Sequence, residues 1–138
     1  MKTKTLTPVE DAYRYLKNSK EAIKKTEVKD GFYEDPKYVK TACNIAYSGL
    51  LVAVNELFRY KGIEVPKRKK NGRQPMNVDF YVEQLGKINR KMMKNFNSAY
   101  DYLHLFGGYD GNTKTTTYKT GFELAKTVID WISKQVKY

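Results

Sequence analysis

A long apolar stretch, from Asp35 to Gly62, occupies the second quarter of this chain. It opens with Asp35-Pro36, an N-cap residue followed by the ring that favours the first helical position. It closes at Gly62, which can adopt the left-handed conformation found just beyond helix ends. Apolar residues recur inside it at steps of three and four, which is the spacing of one helical face. They are Val39, Ala42, Cys43, Ala46, Leu50, Ala53, Val54 and Leu57.

Further apolar residues widen this face until the middle of the predicted helix is apolar on almost every side. A helix of this kind is contacted on most sides by other helices. The remaining polar stripe needs hydrogen-bond partners if neighbouring helices cover it. It could line a pocket with Tyr47 or Tyr100, but we expect it to face solvent or a loop. The widening residues are Ile45, Tyr47, Leu51, Val52 and Phe58, and the stripe is Thr41, Asn44, Ser48, Asn55 and Arg59.

A first helix is predicted ahead of this stretch. Thr7-Pro8-Val9-Glu10 has the pattern of a capping box with proline at the first helical position, and the helix should end near Glu27. Lys29-Asp30-Gly31 then favours a turn within a short connector over residues 28–34. The buried stripe of this helix is predicted to be Val9, Ala12, Tyr13, Leu16 and Ile23.

Two more helices are predicted in the second half of the chain. The third has Asn77 as its cap and continues to about Phe106, where Gly107-Gly108 should stop it. The last helix is clear from Tyr118, whereas residues 113–117 fit either an extended segment or the beginning of that helix. The apolar spacing is carried by Val78, Val82, Leu85, Ile88, Met92, Phe96, Ala99 and Leu103 in the third helix. In the last helix it is carried by Phe122, Ala125, Ile129, Ile132 and Val136.

Four amphipathic helices joined by short or medium links predict an all-α fold, a mostly antiparallel four-helix bundle. Neither an internal repeat nor the alternating period of a strand is evident in the sequence. At 138 residues the chain is expected to form a single domain over residues 1–138.

The setting predicted from the sequence is the cytoplasm. No run of about 18 apolar residues is present, so no transmembrane helix and no membrane partner are expected. The first residues, MKTKTLTPVED, lack the apolar region of a signal peptide. Cys43 is the only cysteine and cannot form an internal disulfide, which fits a reducing compartment.

The chain is strongly basic, with 26 Lys and Arg against 15 Asp and Glu and a formal net charge of +11. Such a balance favours polyanion partners, above all RNA or DNA. The candidate nucleic-acid-binding residues lie in a predicted loop, with Arg90, Lys91 and Lys94 extending the positive area. No aromatic residue lies between Lys61 and Phe80, so stacking of bases on the loop is unsupported, and a solvated loop is the alternative. The loop residues are Lys67, Arg68, Lys69, Lys70 and Arg73.

A second set of candidates surrounds the only histidine, His104. Asp101 lies three residues before it, so the two side chains could share a hydrogen bond that orients the imidazole for acid–base chemistry or holds a polar ligand. Alternatively, His104 serves only to stabilise the helix C-terminus. The candidate ligand-binding residues are Tyr47, Tyr100, Asp101, His104, Tyr109 and Asp110.

Other chemistry finds little support in the sequence. One histidine and one cysteine do not match zinc-ligand spacing, and we expect Cys43 to be a small core residue. A phosphate-binding glycine loop, a recognised Ser-His-Asp arrangement and a paired carboxylate motif are all missing. We therefore predict no metal, no cofactor and no catalytic residue.

Three stretches together resemble a family of small uncharacterised bacterial proteins, and the resemblance covers nearly the whole chain. They are DPKYVKTACNIAYSGLLVAVNELF, NSAYDYLHLFGGYDGN and GFELAKTVIDWI. That family is similar to the HEPN bundles, helical domains often found beside minimal nucleotidyltransferases. The resemblance implies an HEPN-like bundle and a nucleotidyltransferase as a partner.

The ribonuclease members of HEPN carry an arginine separated from a histidine by four to six residues, both facing a dimer cleft. For His104 that arginine would have to be residue 97, 98 or 99, which are Asn97, Ser98 and Ala99. The motif is absent, so the resemblance does not imply ribonuclease activity here.

The sequence thus predicts a protein that acts by binding rather than by catalysis. The first hypothesis is an interaction module, a homodimer whose tyrosine-rich surface meets a partner or a small ligand. The second is an RNA- or DNA-binding bundle that uses Lys67 to Arg73. The third is an HEPN-type enzyme without the usual motif, with Asp101 and His104 at its centre.

Overall fold

The structure is a computed structural model and describes residues 5–66 and 78–138. Most of these residues are helical, which confirms the all-α prediction, and a very small two-stranded sheet is added. The elements in chain order are α1 (Pro8–Ile23), β1 (Val28–Lys29), β2 (Phe32–Tyr33), α2 (Pro36–Tyr60), α3 (Val78–Ile88), α4 (Arg90–Ala99), a π-helix (Tyr100–Tyr109) and α5 (Thr115–Gln135).

Helix α2 is the central helix, and its bounds follow from its caps. The Asp35 carboxylate accepts a hydrogen bond from the Lys37 backbone N–H at 3.0 Å, and Pro36 starts the helix. At the other end Gly62 has a φ of +74°, the left-handed conformation that glycine adopts most readily. All eight residues of the predicted apolar face have 0% exposure. All five residues of the polar stripe are exposed, as predicted.

Helix α1 packs along α2 and begins at the predicted capping box. The Thr7 N–H donates to the Glu10 carboxylate at 3.0 Å, and the Glu10 N–H donates to the Thr7 hydroxyl at 3.2 Å. The helix ends at Ile23, four residues before the predicted end near Glu27. The two helices approach closely, because a Cβ at Gly49 would lie 2.6 Å from the Cβ of Tyr15.

The connector between α1 and α2 is a β-hairpin, which the sequence analysis did not predict. Its two central residues, Asp30 and Gly31, have φ values of +53° and +82°. Positive φ at both positions is typical of the two-residue turns that suit the twist of paired strands, and Asp-Gly is a common sequence for them. The hairpin lies beside the start of α5, where Phe32 forms an isolated bridge with Lys114.

The predicted third helix is divided into three segments. Its expected cap, Asn77, lies outside the described residues. A first break falls at Asn89, which has an extended backbone and caps α4 by accepting a hydrogen bond from the Met92 N–H at 3.0 Å. After Ala99 the chain continues as a π-helix that passes through Gly107-Gly108 and ends at Tyr109. The expectation that these two glycines stop the helix was therefore wrong.

Helix α5 is the last element of the fold. Both structures predicted for residues 113–117, an extended segment and the beginning of this helix, are present in part. Lys114 is extended and bridges to the hairpin, and the helix starts at Thr115. The Asn112 side chain accepts hydrogen bonds from the Lys114 N–H at 3.0 Å and from the Thr117 hydroxyl at 3.2 Å, which stabilises this start. The predicted stripe of α5 is buried throughout. None of the helices within residues 5–66 and 78–138 is long and apolar enough to span a membrane.

Candidate functional site at the π-helix

The π-helix from Tyr100 to Tyr109 is the least ordinary part of the backbone. Its hydrogen bonds run between residues five apart, and the pattern reaches Asp110, whose N–H donates to the Leu105 carbonyl at 2.9 Å. Most π-helical segments in proteins are a single turn, and they occur frequently at functional sites. A ten-residue π-helix is therefore a reason to look for function at this position.

Three glycines allow the π-helix to lie unusually close to its neighbours. A Cβ at Gly107 would overlap the sulfur of Cys43, and a Cβ at Gly108 would overlap the side-chain oxygen of Asn44, both on α2. On the opposite side, a Cβ at Gly121 of α5 would lie 2.7 Å from a methyl carbon of Leu103. The π-helix is thus held between α2 and α5 by contacts that only glycine permits.

Three aromatic rings meet where the π-helix crosses α2. The centroid of the Tyr47 ring lies 5.8 Å from that of Tyr100 and 5.1 Å from that of His104. The Tyr100 and His104 rings are stacked, with centroids 5.2 Å apart and 26° between their planes. All three side chains are half-buried. The structure therefore brings together three of the six predicted ligand-binding residues.

The wide turn of the π-helix decides which other residues share the side of this cluster. Because its bonds join residues five apart, side chains four or five positions apart fall near the same face. Tyr100, His104, Leu105 and Tyr109 have that spacing, whereas Phe106 packs edge-on against Tyr102 at 5.7 Å. Leu105 and Tyr109 are exposed, by 36% and 78%. We call Tyr47, Tyr100, His104, Leu105 and Tyr109 the aromatic face.

The two acidic residues predicted for the site are Asp101 and Asp110. No hydrogen bond joins the described side chains of Asp101 and His104, because residues three apart do not share a face when the turn is this wide. Asp110 follows the helix as its exposed C-cap, and its backbone N–H rather than its carboxylate makes the recorded hydrogen bonds. The predicted hydrogen bond between Asp101 and His104 is therefore not formed.

Burial keeps the Tyr47 hydroxyl and the Cys43 thiol neutral. It raises the pKa of Tyr47, an effect that the nearby Tyr100 and Tyr81 hydroxyls reinforce, so the Tyr47 hydroxyl remains protonated. Burial also raises the pKa of the Cys43 thiol to about 12. Cys43 has 0% exposure, which confirms that it is a core residue, and its neutral thiol is a poor nucleophile.

The structure does not describe the candidate nucleic-acid-binding residues. Lys67, Arg68, Lys69, Lys70 and Arg73 all lie outside the described residues. The three basic residues expected to extend this area lie on α4 and are exposed; they are Arg90, Lys91 and Lys94.

A buried carboxylate on α2, Glu56, was missed by the sequence analysis. Its side chain is 3% exposed and accepts hydrogen bonds from the Arg59 guanidinium, at 3.0 Å from Nη2, and from the Tyr138 hydroxyl at 2.8 Å. The Arg59 guanidinium is the main reason that the pKa of Glu56 lies below its usual value. Burial opposes this shift and the Tyr138 hydroxyl adds to it. The three-residue spacing of Glu56 and Arg59 was a readable signal, whereas Tyr138 is too distant in sequence to be recognised.

A metal-binding cluster is not found in the described part of the chain, where no three His, Cys, Asp or Glu side chains are grouped suitably.

Comparison with known proteins identifies the family of this chain. A family model described as "Domain of unknown function (DUF5618)" matches residues 7–134, nearly the whole chain. The chain belongs to this family. The curated proteins contain no significant match. A solved structure, a protein of unknown function from Dyadobacter fermentans, is similar over 94% of this chain and 96% of its own, with 37% identity and a TM-score of 0.78.

The match to the Dyadobacter fermentans protein extends across the elements that build the site. Because the aligned region covers 94% of this chain, it includes most of α2, the π-helix and α5 together. The family assignment agrees with the resemblance to small proteins of unknown function. It carries no information on a ligand or a partner.

Proposed function

We propose that this DUF5618 protein is a binding module and that the aromatic face is its binding surface. The observation that carries the proposal is the meeting of the Tyr47, Tyr100 and His104 rings on an unusually long π-helix. Tyrosine and histidine offer an apolar ring together with a polar tip, the combination enriched in protein interfaces. Leu105 and Tyr109 extend the same face with exposed apolar surface.

Binding is favoured over catalysis by the arrangement of the polar groups. The His104 ring is stacked against tyrosine rings and makes no hydrogen bond to Asp101. A general base in an acid–base site normally has an orienting partner of that kind. The proposed setting is the cytoplasm, in keeping with a free and buried Cys43.

The proposed partner is a second copy of the chain. A homodimer buries the same patch of both subunits around a two-fold axis, and the aromatic face offers rings and aliphatic carbon suited to such self-contact. Leu105 and Tyr109 are 36% and 78% exposed, so both side chains are available for such a contact.

Neighbouring residues of the π-helix provide a matched test of this dimer. Leu105→Glu and Tyr109→Glu should each raise the dimer dissociation constant about tenfold or more, because a charge would enter the interface. Phe106→Glu is the control, since Phe106 is similarly exposed at 42% but lies on the side of Tyr102. Light scattering over a wide concentration range measures the constant. A protein that stays monomeric throughout, or equal effects of Leu105→Glu and Phe106→Glu, would contradict the proposal.

We also propose that the family is related to the HEPN bundles and that a minimal nucleotidyltransferase is a partner. The proposal is supported by the bundle layout predicted from the sequence and by the helical class of the fold. A gene for such an enzyme beside the gene for this protein, and co-purification of the two products, would support it. Ribonuclease activity that is lost in His104→Ala would instead favour an atypical HEPN enzyme.

Nucleic-acid binding is a second candidate function, favoured by the basic surface of α4. Arg90, Lys91 and Lys94 are exposed, and no acidic residue occurs between Glu83 and Asp101. Phosphate contacts from these residues and from the basic residues at positions 67–73 would give a salt-sensitive affinity without sequence preference.

Two sets of substitutions test this candidate. Replacing the three basic residues of α4 by glutamine, or the five of the loop, should weaken binding to RNA and to heparin. Each set should also reduce the dependence of the affinity on salt concentration. Unchanged retention in both variants would remove the idea.

A further inference from the structure

A concave surface lies where the beginning of α1 meets the last turns of α2. It is an open groove of about 300 Å³, lined by Pro8, Val52, Asn55, Glu56 and Arg59. None of these residues belongs to the aromatic face. The groove combines apolar walls with one buried charged group, the combination that small-molecule sites generally show.

The buried group is the Glu56 carboxylate, and its orientation is determined by Arg59. The guanidinium contacts both carboxylate oxygens through Nε and Nη2, and this fork-like pairing restricts the rotation of the carboxylate. The Glu56 side chain is 3% exposed, whereas that of Arg59 is 68% exposed. The groove therefore presents a fixed, buried acceptor together with a cation whose side chain is largely exposed.

Tyr138 indicates which kind of hydrogen-bond donor the Glu56 carboxylate accepts. The Tyr138 phenol donates a hydrogen bond to Glu56 Oε2 at 2.8 Å. Tyr138 is nevertheless 69% exposed and lies beyond the end of α5. The hydroxyl also interacts with the Val9 backbone and the Thr7 side chain, but most of the side chain remains in water. Each hydrogen bond of this kind is a weak net restraint.

We infer that this groove binds small phenols and that Tyr138 is an internal competitor for the same acceptor. A bound phenol would donate its O–H to Glu56 Oε2 in place of Tyr138, and its ring would pack on Val52 and Pro8. Asn55 and Arg59 at the edge offer N–H donors to polar substituents of the ring. The inference is independent of the proposed dimer.

Matched probes test the role of the hydroxyl proton in the unmodified protein. The probe is 4-ethylphenol, and 4-ethylanisole is the control because it has nearly the same shape but no donor. Titration followed by two-dimensional NMR of the full chain should shift the amide signals of Val52, Glu56 and Arg59. The phenol should bind at least fivefold more tightly than the anisole. Equal affinities, or shifts confined to the aromatic face, would overturn the inference.

Variants test the competition. Tyr138→Phe removes the competing hydroxyl and should tighten phenol binding by about threefold to tenfold, the effect of freeing an acceptor from one net hydrogen bond. Tyr60→Phe is the control, because Tyr60 is also exposed and does not line the groove. Glu56→Gln should weaken binding at least tenfold. No gain in Tyr138→Phe would refute the competition whether or not the Glu56 variant folds.

The dimer variant Leu105→Glu separates this inference from the proposed function. It should leave phenol binding unchanged, because Leu105 does not line the groove. Loss of phenol binding in this variant would place the ligand on the aromatic face and overturn the groove as its site.

Discussion

Substitution of Gly107 tests whether the π-helix is really seated against α2. Its φ is not in the left-handed range, so alanine is compatible with the backbone there. In a helix interior, alanine in place of glycine ordinarily stabilises by about 0.5–1 kcal/mol. At Gly107, however, the new Cβ would overlap the Cys43 sulfur and would lie 3.1 Å from the Tyr102 carbonyl oxygen.

The overlap should outweigh the gain in helix propensity. Overpacking a tight core costs about 1–3 kcal/mol, so Gly107→Ala should lower the free energy of unfolding by about 1–2 kcal/mol net. Urea denaturation followed by circular dichroism measures this free energy. Gly86→Ala is the control, and it should change the free energy of unfolding in the opposite direction. Its Cβ would contact only Met93, at 3.7 Å, and the variant should be about 0.5–1 kcal/mol more stable than the wild type.

A double mutant identifies the contact responsible. Cys43→Ala removes the overlapping sulfur, so Gly107→Ala should cost about 1 kcal/mol less in that background than in the wild type. The Cβ of residue 43 would still lie 3.0 Å from the new methyl group, so the relief should be partial. A Gly107→Ala variant as stable as the wild type, or one whose cost is the same in both backgrounds, would refute the close seating described above.

Three further predictions concern other polar contacts. The pKa of Glu56 is lower in the folded protein than in the unfolded chain. The ionised carboxylate therefore stabilises the fold at pH values above the unfolded-state pKa, and this stabilisation is lost as the pH falls through the folded-state pKa. The stability advantage of the wild type over Glu56→Gln in urea should therefore shrink between about pH 6 and pH 3. Asn89→Ala should cost about 1 kcal/mol by removing the α4 cap, whereas the exposed mid-helix Asn97→Ala should be nearly neutral in the same assay. Ser19→Ala should cost about 1–3 kcal/mol, because the buried Tyr118 hydroxyl 2.8 Å away loses a partner. Tyr118→Phe should lower the free energy of unfolding less in the Ser19→Ala background than in the wild type. Equal losses in both backgrounds would show that the Ser19 and Tyr118 hydroxyls are independent.

Local signals in the sequence were sufficient for the start of α1 and for both ends of α2. The capping box at Thr7 and the Asp35-Pro36 pair satisfy free N–H groups with neighbours three residues away or fewer. The apolar period of α2 is determined by its own sequence, and all eight predicted positions are buried. The turn at Asp30-Gly31 was equally local and was predicted, whereas the pairing of the two short strands beside it was missed.

The candidate site could be predicted only in part. The tyrosines and the histidine were identified by residue type, and the structure places Tyr47 beside Tyr100 and His104. The proposed pairing of Asp101 with His104 assumed α-helical spacing, which the π-helix does not have. Glu56 and Tyr138 are 82 residues apart, and no local pattern connects them.

Sequence alone therefore determined the helical class, the start of α1, both ends of α2, and the buried faces of α2 and α5. These properties depend on interactions between residues a few positions apart, and such interactions are legible in a linear pattern. Only the tertiary structure decided that the backbone widens into a π-helix after Ala99, because the close seating of Gly107 and Gly108 on α2 involves distant residues. That widening places Tyr109 on the side of Tyr100, a position that α-helical spacing would have assigned to the opposite side.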